Sequence, residues 1–110
     1  MAASPFTVDT AIELVGRDDV DVVCVASPPT LHREHTLAAL AAGKHVICEK
    51  PFSKRPSDVE DSFDAADRTN RLLTEAFMYR HNPQTAKLVE LVRDGAIGEL
   101  RVVRSASAAS

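Results

Sequence analysis

The stretch HVICEKPF, residues 45–52, predicts a short buried strand followed by three residues of a different kind. His45–Cys48 is an apolar run bounded by turn signals, which is typical of a strand inside a sheet. An acid, a base and a proline follow directly, as Glu49, Lys50 and Pro51. Charge is readily tolerated where a strand ends, so the placement alone does not distinguish a catalytic group from a strand terminus.

Two further strand patterns flank this stretch, VDVVCVAS at residues 20–27 and RLLTEAF at residues 71–77. Val22–Ala26 is continuously apolar and mostly β-branched, which predicts a strand covered on both faces, as in a parallel sheet. Helical patterns occupy residues 6–19, 28–44, 53–70 and 82–99, and ELRVVRSASAAS at residues 99–110 predicts a fourth strand. This alternation predicts an α/β fold with a parallel sheet.

Polar residues and glycine mark the predicted helix ends. Thr30 is expected to cap the N-terminus of the second helix, and Ser57 with Glu60 forms a capping box for the third. Asn82 is expected to cap the last helix, and Gly95 lies just past its end. The predicted helices therefore fill the gaps between the predicted strands.

Residues with functional groups follow each of the first three predicted strands. Ser27 and Pro28 follow the first, Lys50 the second, and a loop with Tyr79 and Arg80 the third. Ligands of an open parallel sheet bind outside the carboxyl ends of its strands, so these side chains are expected on one rim. A hydroxyl beside a helix start suits an anion or ribose, and Arg suits phosphate or carboxylate. The first loop is explained more simply as a stiff turn, and the third equally well as an ordinary loop.

Lys50 has two interpretations that the residue types do not separate. Pro51 disfavours helical backbone at the preceding residue, so the lysine is presented from an extended segment. An X-Pro bond is also the one peptide bond that readily adopts the cis form. A lysine on a partly desolvated rim suits proton transfer. A charged strand end before a turn accounts for the same residues.

The composition limits the class of protein. The 110 residues fit one small domain, and 45% of them are hydrophobic. A net charge of -3 and few aromatic residues argue against a nucleic-acid partner, and no apolar run has membrane-spanning length. Cys24 and Cys48 are expected as buried free thiols, which fits a cytoplasmic protein without a metal site. None of the glycines forms a G-x-G-x-x-G or P-loop motif.

The run DVDVVCVASPPTLHREHTLAALAAGKHVICEKPF, residues 19–52, closely resembles the nucleotide-binding domain of the Gfo/Idh/MocA oxidoreductase family. The segments EAFMYRHNPQ and LVRDGAIGELR resemble the same family, most of all its branch that acts on sugars and trans-dihydrodiols. The resemblance extends from Asp19 to about Arg104. Its combined motif is specific, whereas E-K-P alone also occurs in glucose-6-phosphate dehydrogenases.

The resemblance implies an NAD- or NADP-dependent oxidoreductase with a Rossmann domain followed by a second α/β domain. Residues 1–80 would form the C-terminal half of the dinucleotide-binding domain. Residues 81–110 would form the linking helix and the first strand of a substrate and oligomerisation domain. The implied partners are a sugar- or polyol-type substrate and a second copy of the protein.

The resemblance also implies roles for individual residues. Lys50 would be the catalytic residue, in contact with the nicotinamide ribose and the substrate hydroxyl, where it assists proton transfer. The other residues implied at the cofactor are Ser27, Pro28, His32, Glu49, Pro51, Tyr79 and Arg80.

Two parts of the family pattern are expected outside this sequence, namely a Gly-rich turn that holds the pyrophosphate and a downstream Asp with His or Tyr. The chain is therefore expected to be an internal piece of a dehydrogenase for a sugar, polyol or trans-dihydrodiol hydroxyl, inactive by itself. The alternative is a non-catalytic α/β module that self-associates or pairs with a full-length relative.

Overall fold

The computed structural model describes residues 8–108, in which helices and strands alternate. The strands are β1 (Val22–Val25), β2 (His45–Glu49) and β3 (Leu73–Ala76), and the helices are α1 (Ala11–Val15), α2 (His32–Ala41), α3 (Pro56–Thr69) and α4 (Pro83–Arg93). Short 3-10 helices at Pro29–Leu31 and Met78–His81 follow β1 and β3. The chain divides after Ala76 into two compact units.

The three strands form one parallel sheet in the order β1-β2-β3. Val46 of the central strand pairs with Val23 on one side and with Leu73 on the other. The helices α2 and α3 connect consecutive strands, as parallel pairing requires. The predicted α/β fold with a parallel sheet is confirmed, and the chain leaves all three strands at the same edge of the sheet.

The described residues cover only one face of this sheet. Val23 and Val46 point into the core, whereas Val22 is 52% exposed, Ile47 is 39% exposed, and Cys24 is also exposed. Successive side chains of a strand point to opposite faces, and both connecting helices contribute to the core on the same face. The predictions of a first strand covered on both faces and of a buried Cys24 are therefore wrong for the described residues.

The core of the first unit lies between the sheet and the helices α2 and α3. Leu40 is fully buried, and burying such a side chain contributes roughly 1.5–3 kcal/mol. The remaining core residues are Val15, Val23, Val25, Ala39, Val46, Cys48, Phe52, Ala65 and Ala66. An exposed ion pair of 3.1 Å between Arg33 and Asp61 also joins the two helices, but exposed pairs contribute little.

The helices α2 and α3 begin without the predicted side-chain caps. Thr30 lies inside the 3-10 turn Pro29–Leu31, whose backbone leads directly into α2. A proline begins α3, which places Ser57 within the first helical turn instead of before it. The Ser53 hydroxyl donates to the Asp58 carboxylate over 2.7 Å and orders this start. Both predicted caps are therefore wrong, because proline geometry sets where these helices begin.

The second unit is built around α4. The Asn82 side chain accepts the Gln84 N–H at 2.9 Å, which confirms the predicted N-cap, and Gly95 adopts a left-handed φ of 80° just after the helix. Residues 99–108 form no strand, so the predicted fourth strand is corrected. A strand forms when a neighbour pairs with its backbone groups, and no described segment does so here.

None of the described helices is long and apolar enough to cross a membrane. The predicted domain boundary at residue 80 stays a prediction.

Candidate functional site

Ser27 and Lys50 lie at the same level of the sheet edge where the strands end. Val25 pairs with Cys48 in the parallel register, and each of the two candidate residues comes two positions later. The end of β3 pairs in turn with the end of β2. The register therefore brings the segments after the first two strands to a common rim, as the parallel pattern predicted.

The Lys50 ammonium is exposed on this rim and has no hydrogen bond or ion pair with residues 8–108. Its backbone N–H donates to the Glu49 carboxylate over 3.2 Å, so this acid binds the backbone of the lysine and not its ammonium group. The Lys50–Pro51 peptide bond is cis. An exposed ammonium group that forms no hydrogen bond or ion pair with a described side chain can donate to an oxygen atom of a ligand.

Phe52 fixes the segment that carries Lys50. Its ring is buried, 3% exposed, with its centroid 6.1 Å from that of Phe63. Its carbonyl oxygen lies 3.1 Å from Nδ1 of His32, and its N–H donates to the Glu75 carboxylate over 3.1 Å. The Phe52 ring therefore packs against α3, its carbonyl oxygen lies beside a side chain of α2, and its N–H donates to a side chain of β3.

His32 is buried, 1% exposed, at the start of α2. Its Nε2 lies 2.7 Å from the carbonyl oxygen of Ser27, and its Nδ1 lies 3.1 Å from that of Phe52. A neutral ring donates to one of these carbonyls, and a protonated ring donates to both. The resemblance placed His32 at the cofactor, and this role stays a prediction. In the structure, the buried ring lies between two backbone segments of the rim.

The Ser27 hydroxyl is partly buried and lies 2.8 Å from Nδ1 of His35 on α2. Pro28 follows it on the surface and precedes the 3-10 turn that leads into α2. The hydroxyl at the end of β1 is thus oriented by a histidine, and this orientation favours a specific hydrogen bond over a freely rotating surface group.

Tyr79 and Arg80 belong to the second unit, in the 3-10 helix Met78–His81. The Tyr79 ring packs against Phe77 with 5.7 Å between centroids and is 58% exposed. Arg80 is also exposed. Both side chains are accessible within their unit, and their predicted contact with a cofactor stays a prediction.

Two residues of the site, Glu75 and His35, are absent from the predicted site residues. Glu75 alternates along β3 with Thr74, which is exposed, so the strand pattern places its carboxylate on the core side of the sheet. An acid on the core side of a strand was the signal that could have identified it. His35 lies three residues after His32 on the same helix and thus shares its face, which the spacing could have shown.

The Gfo/Idh/MocA family model, an oxidoreductase family with an NAD-binding Rossmann fold, matches residues 3–77, more than half of the sequence. The chain belongs to the Gfo/Idh/MocA family. The resemblance carried by HVICEKPF and the surrounding run is thereby confirmed.

Curated Gfo/Idh/MocA relatives include enzymes named for sugar substrates. The D-glucoside 3-dehydrogenase of Escherichia coli K12 is 43% identical over 82 residues, which are 74% of this chain and 23% of the relative. The dTDP-3,4-didehydro-2,6-dideoxy-alpha-D-glucose 3-reductase of Actinomadura kijaniata is 43% identical over 88 residues, which are 80% of this chain and 26% of the relative. The chain thus spans about a quarter of the length of these relatives.

Solved structures share the fold. A 3-ketoreductase from Actinomadura kijaniata, in complex with NADP and TDP-benzene, matches with a TM-score of 0.73 and 40% identity over 80% of this chain and 27% of that one. An NAD binding oxidoreductase from Klebsiella pneumoniae matches with a TM-score of 0.74 and 38% identity over 80% of this chain and 23% of that one. The predicted cofactor, NAD or NADP, agrees with both the family and the solved relatives.

The rim of this Gfo/Idh/MocA chain presents two hydrogen-bond donors, the Ser27 hydroxyl and the Lys50 ammonium, and ribose hydroxyl oxygens can accept from such groups. Among residues 8–108, no group of three His, Cys, Asp or Glu side chains could hold a metal ion. The predicted contacts of Ser27 and Lys50 with the cofactor stay predictions.

Proposed function

We propose that this chain supplies the proton-transferring lysine and part of the nicotinamide-binding rim of an NAD(P)-dependent oxidoreductase. The observation that carries the proposal is Lys50, an exposed ammonium group without a partner among residues 8–108, presented beside Ser27 where parallel strands end. Ligands bind at this edge of open α/β sheets. The segment that carries this lysine is also anchored two residues later, where the Phe52 N–H donates to Glu75 and the Phe52 ring is buried.

The proposed chemistry is hydride transfer between the nicotinamide cofactor and a carbon that carries a hydroxyl or keto group. The nicotinamide, when bound, accepts or supplies the hydride, and the protein positions it and handles the proton. In oxidation the Lys50 amine accepts the proton of the substrate hydroxyl, and in reduction its ammonium returns a proton to the keto oxygen. General acid–base catalysis of this kind contributes about 10²–10⁴ in rate.

The remaining residues of the rim bind and orient the cofactor. The Ser27 hydroxyl, set by His35, donates to a ribose oxygen, and Pro28 forms the adjacent surface. Glu49 and Pro51 hold the backbone on either side of the lysine. Tyr79 and Arg80, which are accessible in the second unit, are proposed as cofactor contacts because the family resemblance implies this role.

The substrate class is a sugar, polyol or trans-dihydrodiol. Support comes from two relatives of over 40% identity, one named for a D-glucoside and the other for a deoxysugar nucleotide. These compounds all present a secondary hydroxyl or keto group whose oxygen can exchange a proton with an amine. The substrate type that we propose for this protein is therefore a polyhydroxylated carbon skeleton.

The test places the matching segment of this chain into the Escherichia coli D-glucoside 3-dehydrogenase and measures NAD(P)-linked hydride transfer by the chimaera. We expect an active chimaera whose kcat falls about 10²–10⁴-fold on Lys50→Ala. Lys54→Ala, an exposed lysine four residues later, is the matched control and should leave kcat unchanged.

Two results would contradict the proposal. One is equal kcat for the Lys50→Ala chimaera and its parent, because the lysine would then transfer no proton. The other is an equal effect of Lys50→Ala and Lys54→Ala, which would indicate a general charge effect. Either result would favour the alternative, a non-catalytic α/β module that self-associates or pairs with a relative.

A further inference from the structure

Two side chains reach the backbone of Phe52, two residues after Lys50, and a third packs against its ring. The Glu75 carboxylate of β3 accepts the Phe52 N–H at 3.1 Å, and the His32 ring of α2 contacts the Phe52 carbonyl oxygen at 3.1 Å. The Phe52 ring is buried against Phe63 of α3. The Phe52 N–H is therefore hydrogen-bonded, its carbonyl oxygen lies within hydrogen-bond distance of His32, and its side chain is buried.

A single residue separates Lys50 from Phe52 along the chain. Pro51 lies between them, and its ring restricts φ to a narrow range, which removes one of the few backbone torsions that could let the lysine move. On its other side Lys50 continues β2, whose register is set by pairing with both neighbouring strands. The direction in which the Lys50 side chain leaves the rim is consequently set by β2 on one side and by Phe52 on the other.

We infer that Glu75 and His32 are positioning residues for Lys50, acting through the backbone of Phe52. The inference rests on the proposed function of Lys50 and adds the groups that determine where its amine lies. A hydrogen bond to a carboxylate is stronger than one to a neutral acceptor, which suits Glu75 to hold an amide firmly. Neither side chain contacts the reacting atoms.

His32 extends the same arrangement to the other strand end. Its Nε2 lies 2.7 Å from the Ser27 carbonyl oxygen while its Nδ1 contacts Phe52, so one buried ring joins the segments that carry Ser27 and Lys50. The spacing between a cofactor-binding hydroxyl and a proton-transferring amine therefore depends on one imidazole. Catalysis is sensitive to such spacing, since misplacement of about 1 Å can lower rates about 10²-fold.

The test uses Glu75→Ala and Glu75→Gln in this chain, read by ¹⁵N relaxation and amide hydrogen exchange. Rigid backbone has an order parameter of about 0.85, and flexible backbone lies below about 0.6. In Glu75→Ala we expect the order parameters of Lys50 and Phe52 to fall toward the flexible value while those of Leu40 and Ile47 stay unchanged. Exchange at the Phe52 amide should accelerate about 10- to 100-fold, the factor that a charge-assisted hydrogen bond represents.

Glu75→Gln keeps an acceptor oxygen, so it should restore most of the order at Phe52. Thr74→Ala, an exposed neighbour on the same strand, is the matched control and should change neither quantity. Unchanged order at Lys50 in Glu75→Ala would overturn the inference. So would a loss of order throughout the sheet in both Glu75 variants, because Glu75 would then be a residue of the fold and not of the site.

The chimaera separates this inference from the proposed function. We expect Glu75→Ala to lower kcat about 10-fold or more with the KM for the cofactor unchanged, and Glu75→Gln to recover most of the loss. Suppose that Lys50→Ala leaves the chimaera fully active while Glu75→Ala still lowers the order parameter of Lys50. The proposed function is then wrong, and the positioning role of Glu75 stands. If Lys50→Ala abolishes activity and Glu75→Ala changes neither kcat nor order, the positioning role is wrong.

Discussion

Cys24 and Cys48 lie on adjacent strands but on opposite faces of the sheet. Cys24 is on the open face of the sheet, and Cys48 is fully buried beneath it. Burial, with smaller contributions from nearby acidic groups, raises the pKa of the Cys48 thiol to about 11. Because the thiolate is the reactive species, Cys48 is inert near neutral pH.

We therefore expect a thiol reagent at pH 8 to modify Cys24 quickly and Cys48 only after unfolding. In the folded chain, modification of Cys48 should rise as the pH approaches about 11, since the raised pKa delays thiolate formation. Mass spectrometry of Cys24→Ser and Cys48→Ser measures each thiol alone. Equal rates for the two single variants at pH 8 would show that the strand faces are not as described.

Helix α2 contributes the site histidines and also the most deeply buried leucine of the chain. Leu40 is 0% exposed, whereas Leu88 on α4 is 61% exposed. Truncation of a buried leucine removes transfer free energy and leaves a cavity, at a cost of about 2–5 kcal/mol. Since α2 carries His32 and His35 at its other end, loss of its packing should also disturb the rim.

Leu40→Ala is thus expected to lower the free energy of unfolding by about 2–5 kcal/mol, measured by urea denaturation followed by circular dichroism. Leu88→Ala makes the same chemical change on an exposed helix face and should stay within about 0.5 kcal/mol of the parent. A loss for Leu40→Ala as small as the one expected for Leu88→Ala would place Leu40 outside the core.

The whole first unit exposes an apolar sheet face. Val22 and Ile47 are 52% and 39% exposed, although doubly wound sheets carry helices on both faces. Exposed apolar area of this kind binds hydrophobic dyes and other apolar surfaces. The open face is a property of the arrangement as a whole, because each strand by itself has the composition of a buried one.

The double variant Val22→Thr with Ile47→Thr should therefore bind less of a hydrophobic fluorescent dye than the parent. Thr74→Val adds apolar surface opposite Ile47 and should bind more. Fluorescence titration at equal protein concentration measures both. Unchanged dye binding in the double variant would mean that the face is covered in solution.

The fold was predictable to the extent that it depends on local patterns. The strands near Cys48 and Val23, the parallel pairing and the Asn82 cap all follow from periodicity and residue type. The predicted caps at Thr30 and Ser57 failed because neighbouring prolines set the helix starts, which a capping pattern does not weigh. The prediction of a fourth strand failed because a strand needs a neighbouring strand to pair with. The apolar residues within 99–103 indicate only that this segment could pair, and not that a neighbour is present.

The sequence by itself determined the α/β order, the family and the identity of Lys50 as the leading candidate, because each depends on residues that are adjacent or regularly spaced. The tertiary structure decided what holds that lysine in place. The contacts of Phe52 with His32 and Glu75 join residues 20 and 23 positions apart, and spacing within one element carries no information about such distant pairs. The structure also decided that one sheet face is open, since burial depends on what packs against a strand as well as on its composition.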